Sequence, residues 1–321
     1  MKLKHLMDIV EIRTKIISMV TFFSAVLYQL WVGGNLAPER FFLLWIAVLC
    51  VDMGTTGFNT YFDFHSGVDT GAHKREADKV LVHEGVAPST ALLVSSLLFG
   101  LAVLIGLFLT WQTGLIVALA GGASMMAGFL YTGGPLPLSR TPLGEFFAGG
   151  FLGTVLFMIT WYILSVPSGS AGFYLADPEI LNISRILPPL LISLPFSALV
   201  ASILTVNNTC DIKGDREGGR KTLSILLGSR WGERIVYILG GGAWTLSIGL
   251  AITGLLPRVL ILTALPALLG TLKNFRVMHG RGYSHETKEI SMGSISQIYL
   301  FYGLALSSAF LIDLLLQALR S

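Results

Sequence analysis

The stretch Ala198-Leu-Val-Ala-Ser-Ile-Leu-Thr-Val-Asn207-Asn208-Thr209-Cys210-Asp211-Ile-Lys-Gly-Asp215 runs from an apolar segment directly into amides and carboxylates. A shorter version stands earlier in the chain: Asn59-Thr60-Tyr61-Phe62-Asp63, with Asp69 beyond it. Carboxylates at a membrane boundary are costly to desolvate, so their presence marks function. Two acidic clusters far apart in sequence point to one shared task, which is holding a divalent metal and a diphosphate between them.

The surroundings of these motifs decide the fold. Of the 321 residues, 53% are hydrophobic and only 13% charged, against about a quarter charged in a soluble domain. The chain therefore reads as an integral membrane protein. Nine apolar segments stand out, at about 16–33, 41–62, 90–110, 113–131, 143–166, 186–206, 234–254, 258–273 and 294–318. Each is near the ~17–25 residues a helix needs to cross a bilayer. The eighth is the shortest, with Pro257 and Pro266 blurring its ends. Period-2 alternation is missing, which excludes a β-barrel. The expected architecture is all-α: a polytopic membrane protein with nine transmembrane helices around a central cavity, in a single domain over residues 1–321. The first apolar run is long and lacks a small-x-small cleavage site, so it reads as a retained span. Cys50 lies in an apolar run and Cys210 in the second motif, so no structural disulfide is expected. A net charge of +3 gives no reason to expect a nucleic-acid partner.

Eighteen of the 22 Lys and Arg residues fall on one side of this layout and four on the other. The positive-inside rule then predicts a cytoplasmic N-terminus and cytoplasmic motif loops, with the C-terminus outside.

Asn59 and Asp63 are four residues apart and share a helix face, with Asp52 two turns deeper on roughly the same face. Asn208, Asp211 and Asp215 repeat the logic at i, i+3 and i+7. Mg²⁺ takes oxygen ligands, keeps several waters and is commonly shared between one or two carboxylates and substrate phosphates. Lys74 and Arg75 follow the first motif, and Arg220 and Lys221 follow the second. Arg grips phosphate oxygens bidentately, whereas Lys acts as a point charge. Topology alone explains loop Lys and Arg in most membrane proteins, and a lone boundary acid more often caps a helix. Duplication of the acids, with Asn at matching offsets, favours the functional reading. Asp52 can line the cavity or be a structural acid. The Gly149-x-x-x-Gly153 pair reads as helix packing.

At this point the motifs carry a resemblance. The second motif continues as Asp215-Arg-Glu-Gly-Gly219-Arg-Lys-Thr222-Leu, and the chain also holds Tyr131-Thr-Gly-Gly-Pro135-Leu-Pro and Leu143-Gly-Glu145. In these features it resembles the UbiA superfamily of membrane prenyltransferases over nearly its whole length. Within that superfamily it is most similar to the 1,4-dihydroxy-2-naphthoate prenyltransferases of menaquinone synthesis. The resemblance implies Mg²⁺-dependent transfer of a polyprenyl group from its diphosphate to an aromatic quinone precursor, with carboxylate loss giving a demethylmenaquinone.

It implies metal-binding roles for Asp63, Asp211 and Asp215, assisted by Asn59 and Asn208. Asp69, Lys74, Arg75, Arg220, Lys221 and Asp52 would bind substrate. Tyr61, Phe62 and Tyr131 would face the allylic cation, and Tyr131 with the Gly133-Gly134 turn would serve the acceptor. Two positions depart from the family pattern. Thr60 replaces the first Asp of the Asn-Asp-x-x-Asp motif, leaving Asp52 or Asp69 to compensate, and Cys210 stands where the branch often has Arg. The competing readings are another aromatic acceptor, such as 4-hydroxybenzoate, homogentisate or a tetrapyrrole, and a cation or lipid-phosphate transporter.

Overall fold

A computed structural model describes residues 3–66, 81, 85–135, 137–170, 172 and 174–320. Backbone polar groups inside a bilayer must bond within their own segment, which leaves helices as the solution for these apolar runs. Among the described residues nine helices are long and apolar enough to cross a membrane, as the sequence predicts.

A short helix α1 (Leu3–Ile9) and a 3₁₀ turn (Ile12–Lys15) precede α2 (Ile16–Trp31). Next come α3 (Pro38–His65), α4 (Pro88–Thr113) and α5 (Leu115–Thr132). Pro38 and Pro88 each open a helix, where their missing N–H costs nothing. Gly114 (φ 105°) alone separates α4 from α5.

Helix α6 (Gly144–Ser165) contains a π-helical turn at Gly150–Val155. It leans on α7 (Ile183–Cys210), the most enclosed of the spans. Two short helices follow, α8 (Ile212–Glu217) and α9 (Leu223–Leu227). The chain then crosses in α10 (Ser229–Thr253), α11 (Leu260–Arg281) and α12 (Lys288–Ala318). The eighth span is thus longer than its apolar run, because α11 continues through Pro266 and past Lys273 to Arg281.

The main pairings are α3 with α4, α7 with α10, α11 with α12, and α2 and α7 with α6. Each motif-bearing helix, α3 and α7, therefore packs on the next span of its own half. The α6–α7 contact needs its glycines. A Cβ on Gly153 would sit 2.3 Å from the Ser197 main-chain nitrogen, and one on Gly149 would sit 2.5 Å from the Ser197 carbonyl. The π turn also leaves the Thr154 N–H free to donate to Ser197 Oγ at 2.9 Å. The core at the helix crossings is aromatic: Phe22, Phe157, Phe196, Tyr299, Tyr302 and Phe310 are fully buried. Its phenols are paired, Tyr299 with Thr21 (2.6 Å) and Tyr302 with Ser247 (2.9 Å). This core holds α2, α10 and α12 together around α7. Both cysteines are buried and free.

Candidate active site

Two adjoining cavities open among these helices. The larger is an apolar space of about 530 Å³ walled by α2 to α7. The smaller is a polar pocket of about 140 Å³ lined by Glu11, Asn59, Thr60, Asp63, Thr132 and Arg220 among others. Asn59, Tyr131, Leu204 and Asn207 line both, so the polar pocket and the apolar chamber share a wall.

The first motif stays helical to His65, so Asn59 and Asp63 present one face, as their spacing predicts. Thr132, at the end of α5, donates to Asn59 Oδ1 at 2.5 Å. Asp63 has two guanidinium neighbours, Arg220 Nη2 at 3.8 Å and Arg140 Nη2 at 3.9 Å. The second motif does not remain one helix. Helix α7 ends at Cys210, Asp211 caps it, and Asp215 belongs to α8. Asn208 donates to Glu145 Oε1 at 2.8 Å, a contact buried between α6 and α7. Gly219 (φ 71°) then takes a left-handed conformation that glycine adopts without strain. That turn folds Arg220 back, with its main-chain N–H on the Asp215 carbonyl at 2.9 Å. Its Nη1 lies 3.5 Å from Asp215 Oδ1. One guanidinium therefore bridges Asp63 and Asp215, carboxylates 152 positions apart in the chain.

Several sequence expectations are relocated. Asp211 does not line the polar pocket; it is held by Lys288 Nζ at 2.7 Å and approached by His285 Nδ1 at 3.4 Å, both from the far end of the chain. Lys221 has an exposed side chain, and it is the main-chain N–H that anchors it, on the Arg140 carbonyl at 2.8 Å. Asp52 lines the apolar chamber instead of the polar pocket, and Lys15, one of the basic residues on the side predicted to be cytoplasmic, is buried against it.

Tyr61 turns toward His65 (ring centroids 4.3 Å apart) and Phe62 packs on Phe58 and Phe129, so neither lines a cavity. Gly133 serves that packing: a Cβ there would lie 2.6 Å from the Phe62 ring. Tyr131 alone of the three proposed aromatics lines the cavities, and it is joined by Phe147 and Phe151, stacked 6.2 Å apart. Asp69, Lys74 and Arg75 lie outside the described residues.

Thr60 lines the pocket, yet its hydroxyl lies near two main-chain carbonyls, Thr56 at 3.1 Å and Ile9 at 3.3 Å. It ties the end of α1 to α3.

Sequence reasoning missed Glu11, Arg140, Glu145 and Thr132. Glu11 is the one described non-glycine residue with positive φ (45°), a conformation that no local pattern announces. Arg140 sits in a Pro-rich turn with no periodic signal.

The donor set suits Mg²⁺ bound together with a diphosphate. Among the described residues no three His, Cys, Asp or Glu side chains form a metal cage. A pair of carboxylates with amides and guanidinium groups close by is the arrangement Mg²⁺ uses when substrate phosphates and water complete its shell. Nine membrane-length apolar helices among the described residues and a polar pocket of paired Asn–Asp motifs over an apolar chamber define a class, the polytopic membrane enzymes that handle a charged head on a greasy tail.

The chain belongs to the UbiA prenyltransferase family, whose sequence profile matches residues 18–295. It is 32% identical to the 1,4-dihydroxy-2-naphthoate octaprenyltransferase of Bacillus subtilis (strain 168), over 85% of this chain and 81% of that one. It is 27% identical to UbiA prenyltransferase domain-containing protein 1 of Xenopus tropicalis, over 86% and 74% of the two chains. The fold matches a UbiA homologue from Aeropyrum pernix K1 with a TM-score of 0.66 at 15% identity, over 94% and 98% of the two chains. It matches an Archaeoglobus fulgidus homologue described as bound to GPP and Mg²⁺ with a TM-score of 0.59 at 16% identity, over 95% and 99%. The protein is thus a multi-pass membrane prenyltransferase.

Proposed function

We propose that the protein transfers a polyprenyl group from its diphosphate to 1,4-dihydroxy-2-naphthoate, releasing diphosphate and carbon dioxide and giving the hydroquinone form of a demethylmenaquinone. The observation that carries this reading is the meeting of Asp63 and Asp215 on Arg220, in a polar pocket that shares a wall with the apolar chamber. The acceptor rests on the likeness to the Bacillus subtilis enzyme. The cofactor rests on the donor chemistry of the pocket and on the Mg²⁺ described for the Archaeoglobus fulgidus homologue.

In this reading Asp63 and Asp215 hold Mg²⁺, with Asn59 and Asn208 beside them. Asp211, 12% exposed at the loop behind them and paired with Lys288, would add a further carboxylate to the metal's surroundings. The ion neutralises the diphosphate and makes it a better leaving group. Arg220 and Arg140 balance the remaining negative charge. The tail lies along the apolar chamber. The faces of Tyr131, Phe147 and Phe151 stabilise the allylic cation by its attraction to their π electrons, and the electron-rich acceptor ring attacks it. The Lys/Arg bias puts the pocket on the cytoplasmic side.

The test is radiolabelled prenyl diphosphate offered to membranes containing the protein, with a panel of aromatic acceptors, with and without EDTA. The expected result is EDTA-sensitive label in the naphthoate product. Label in another ring would reassign the acceptor. Flux across sealed vesicles without a covalent product would replace the enzyme reading by the transporter one.

A further inference from the structure

One ion pair stands in the wall of the otherwise apolar chamber. Lys15 ends the 3₁₀ turn before α2 and is 4% exposed. Its Nζ donates to Asp52 Oδ1 at 2.6 Å, to Thr56 Oγ1 at 2.5 Å and to the Asp52 carbonyl at 3.3 Å. Ser18 Oγ donates to the other carboxylate oxygen, Asp52 Oδ2, at 2.5 Å. Lys15, Ser18, Asp52 and Thr56 all line the chamber. Asp52 and Thr56 lie on α3, the helix that carries Asn59 seven residues beyond Asp52.

Taking both charges out of water costs several kcal/mol per ion, and apolar side chains of similar volume often stabilise a fold as well or better. Joining α2 to α3 therefore does not require this pair. Its two members also differ in access. All three Lys15 donors are used within the protein, and its side chain is 5% exposed against 16% for Asp52. A carboxylate offers about four acceptor sites, so Asp52 keeps acceptor capacity toward the chamber. The group that reaches it must be a donor, since a second anion would be repelled. A ring hydroxyl meets that requirement.

We propose that Asp52, aligned by Lys15 and Ser18, accepts a hydrogen bond from a hydroxyl of the aromatic acceptor and so sets the ring's orientation in the chamber. This rests on the prenyl-transfer reading above. Seven helical residues place Asp52 about 10 Å along α3 from Asn59. The ring thus lies between its hydroxyl anchor and the diphosphate pocket, with its reacting edge toward the allylic carbon. A charge-assisted bond from hydroxyl to carboxylate also enriches the ring in electrons. Lys15 and Ser18 are positioning residues; Asp52 touches the substrate.

The experiment measures acceptor and prenyl diphosphate KM separately in purified protein, and compares binding of the hydroxylated acceptor with its O-methyl ether. Asp52→Asn is expected to raise the acceptor KM about tenfold or more, with the prenyl diphosphate KM unchanged. The wild type is expected to bind the hydroxyl form about tenfold more tightly than the ether, and Asp52→Asn to erase that preference. Asp52→Asn strands the Lys15 ammonium, so the paired variant Lys15→Met with Asp52→Asn, which removes both charges, serves as the folded control. It should show the same selective loss. An unchanged acceptor KM, an equal shift of both KM values, or a wild type indifferent to methylation overturns the proposal. The methylation arm needs no variant and decides the matter if neither variant folds. A wild type that prenylates no hydroxylated ring refutes the parent reading instead.

Discussion

The two motifs look like copies in sequence and are built differently. Asn59 and Asp63 ride one unbroken helix, whereas Asn208, Asp211 and Asp215 are split among a helix end, its cap and a new helix. The unbroken motif has its backbone set by α3, with Thr132 on Asn59 and Arg220 and Arg140 beside Asp63. The broken one draws on distant partners, Glu145 for Asn208 and Lys288 and His285 for Asp211, and on a local turn that brings Arg220 back to Asp215. The difference teaches that one half of the pocket is the face of a continuous helix and the other a helix end with a folded-back turn, so local spacing places the first pair and not the second.

The largest effects should come from the carboxylates that meet on Arg220. Asp63→Asn and Asp215→Asn are each expected to lower Mg²⁺-dependent prenyl transfer by roughly 100-fold or more, with the protein still folded in membranes. Turnover near the wild-type level in either variant would break the assignment. Asp211→Asn should cost less, about tenfold, and chiefly by raising the Mg²⁺ requirement. A Mg²⁺ titration of initial rates distinguishes this from a loss equal to that of Asp215→Asn.

Next come the cations. Arg220→Lys keeps the charge but loses the planar fork that reaches both acids, so the prenyl diphosphate KM should rise several-fold, about 1 kcal/mol in binding. Arg140→Met should act in the same direction and less strongly, which a side-by-side KM comparison would reveal. For the frame that carries both motifs, Gly153→Val should cost about 1–3 kcal/mol through a clash with the Ser197 backbone. Gly150→Ala, which meets open space, should leave the thermal unfolding midpoint unchanged. The smallest effect is expected at Thr60. Thr60→Val should cost about 1 kcal/mol from the lost hydroxyl hydrogen bond shared between the Thr56 and Ile9 carbonyls, with little change in Mg²⁺ requirement. A large rise in that requirement would return Thr60 to the metal site.

Much of the fold was legible, because a bilayer accepts few solutions for long apolar runs. Even the α6–α7 contact at Gly149 and Gly153 could be anticipated from its spacing. The site was legible in part. Asn59, Asp63, Tyr131, Asn208 and Arg220 do line the pocket, and Asp215 lies behind Arg220. Periodicity failed where the chain leaves a helix. The i, i+3, i+7 reading of Asn208, Asp211 and Asp215 assumed a continuous helix, and the break at Asp211 sends its carboxylate to Lys288 instead. The aromatic reading failed for a similar reason: adjacent Tyr61 and Phe62 point away from the chamber, toward His65 and Phe129.

By itself the sequence determined the apolar runs that become nine helices long enough to cross a membrane among the described residues, and the two amide–carboxylate motifs at helix ends. Hydrophobic runs and local spacing are properties of neighbouring residues, and they survive without knowledge of the rest of the chain. Only the tertiary structure decided which charges meet. Asp63 and Asp215 share Arg220, Asp211 takes Lys288, and Asp52 takes Lys15. These pairings join residues far apart in the chain, and a Coulomb interaction depends on distance in space and on burial, neither of which is written in the order of residues.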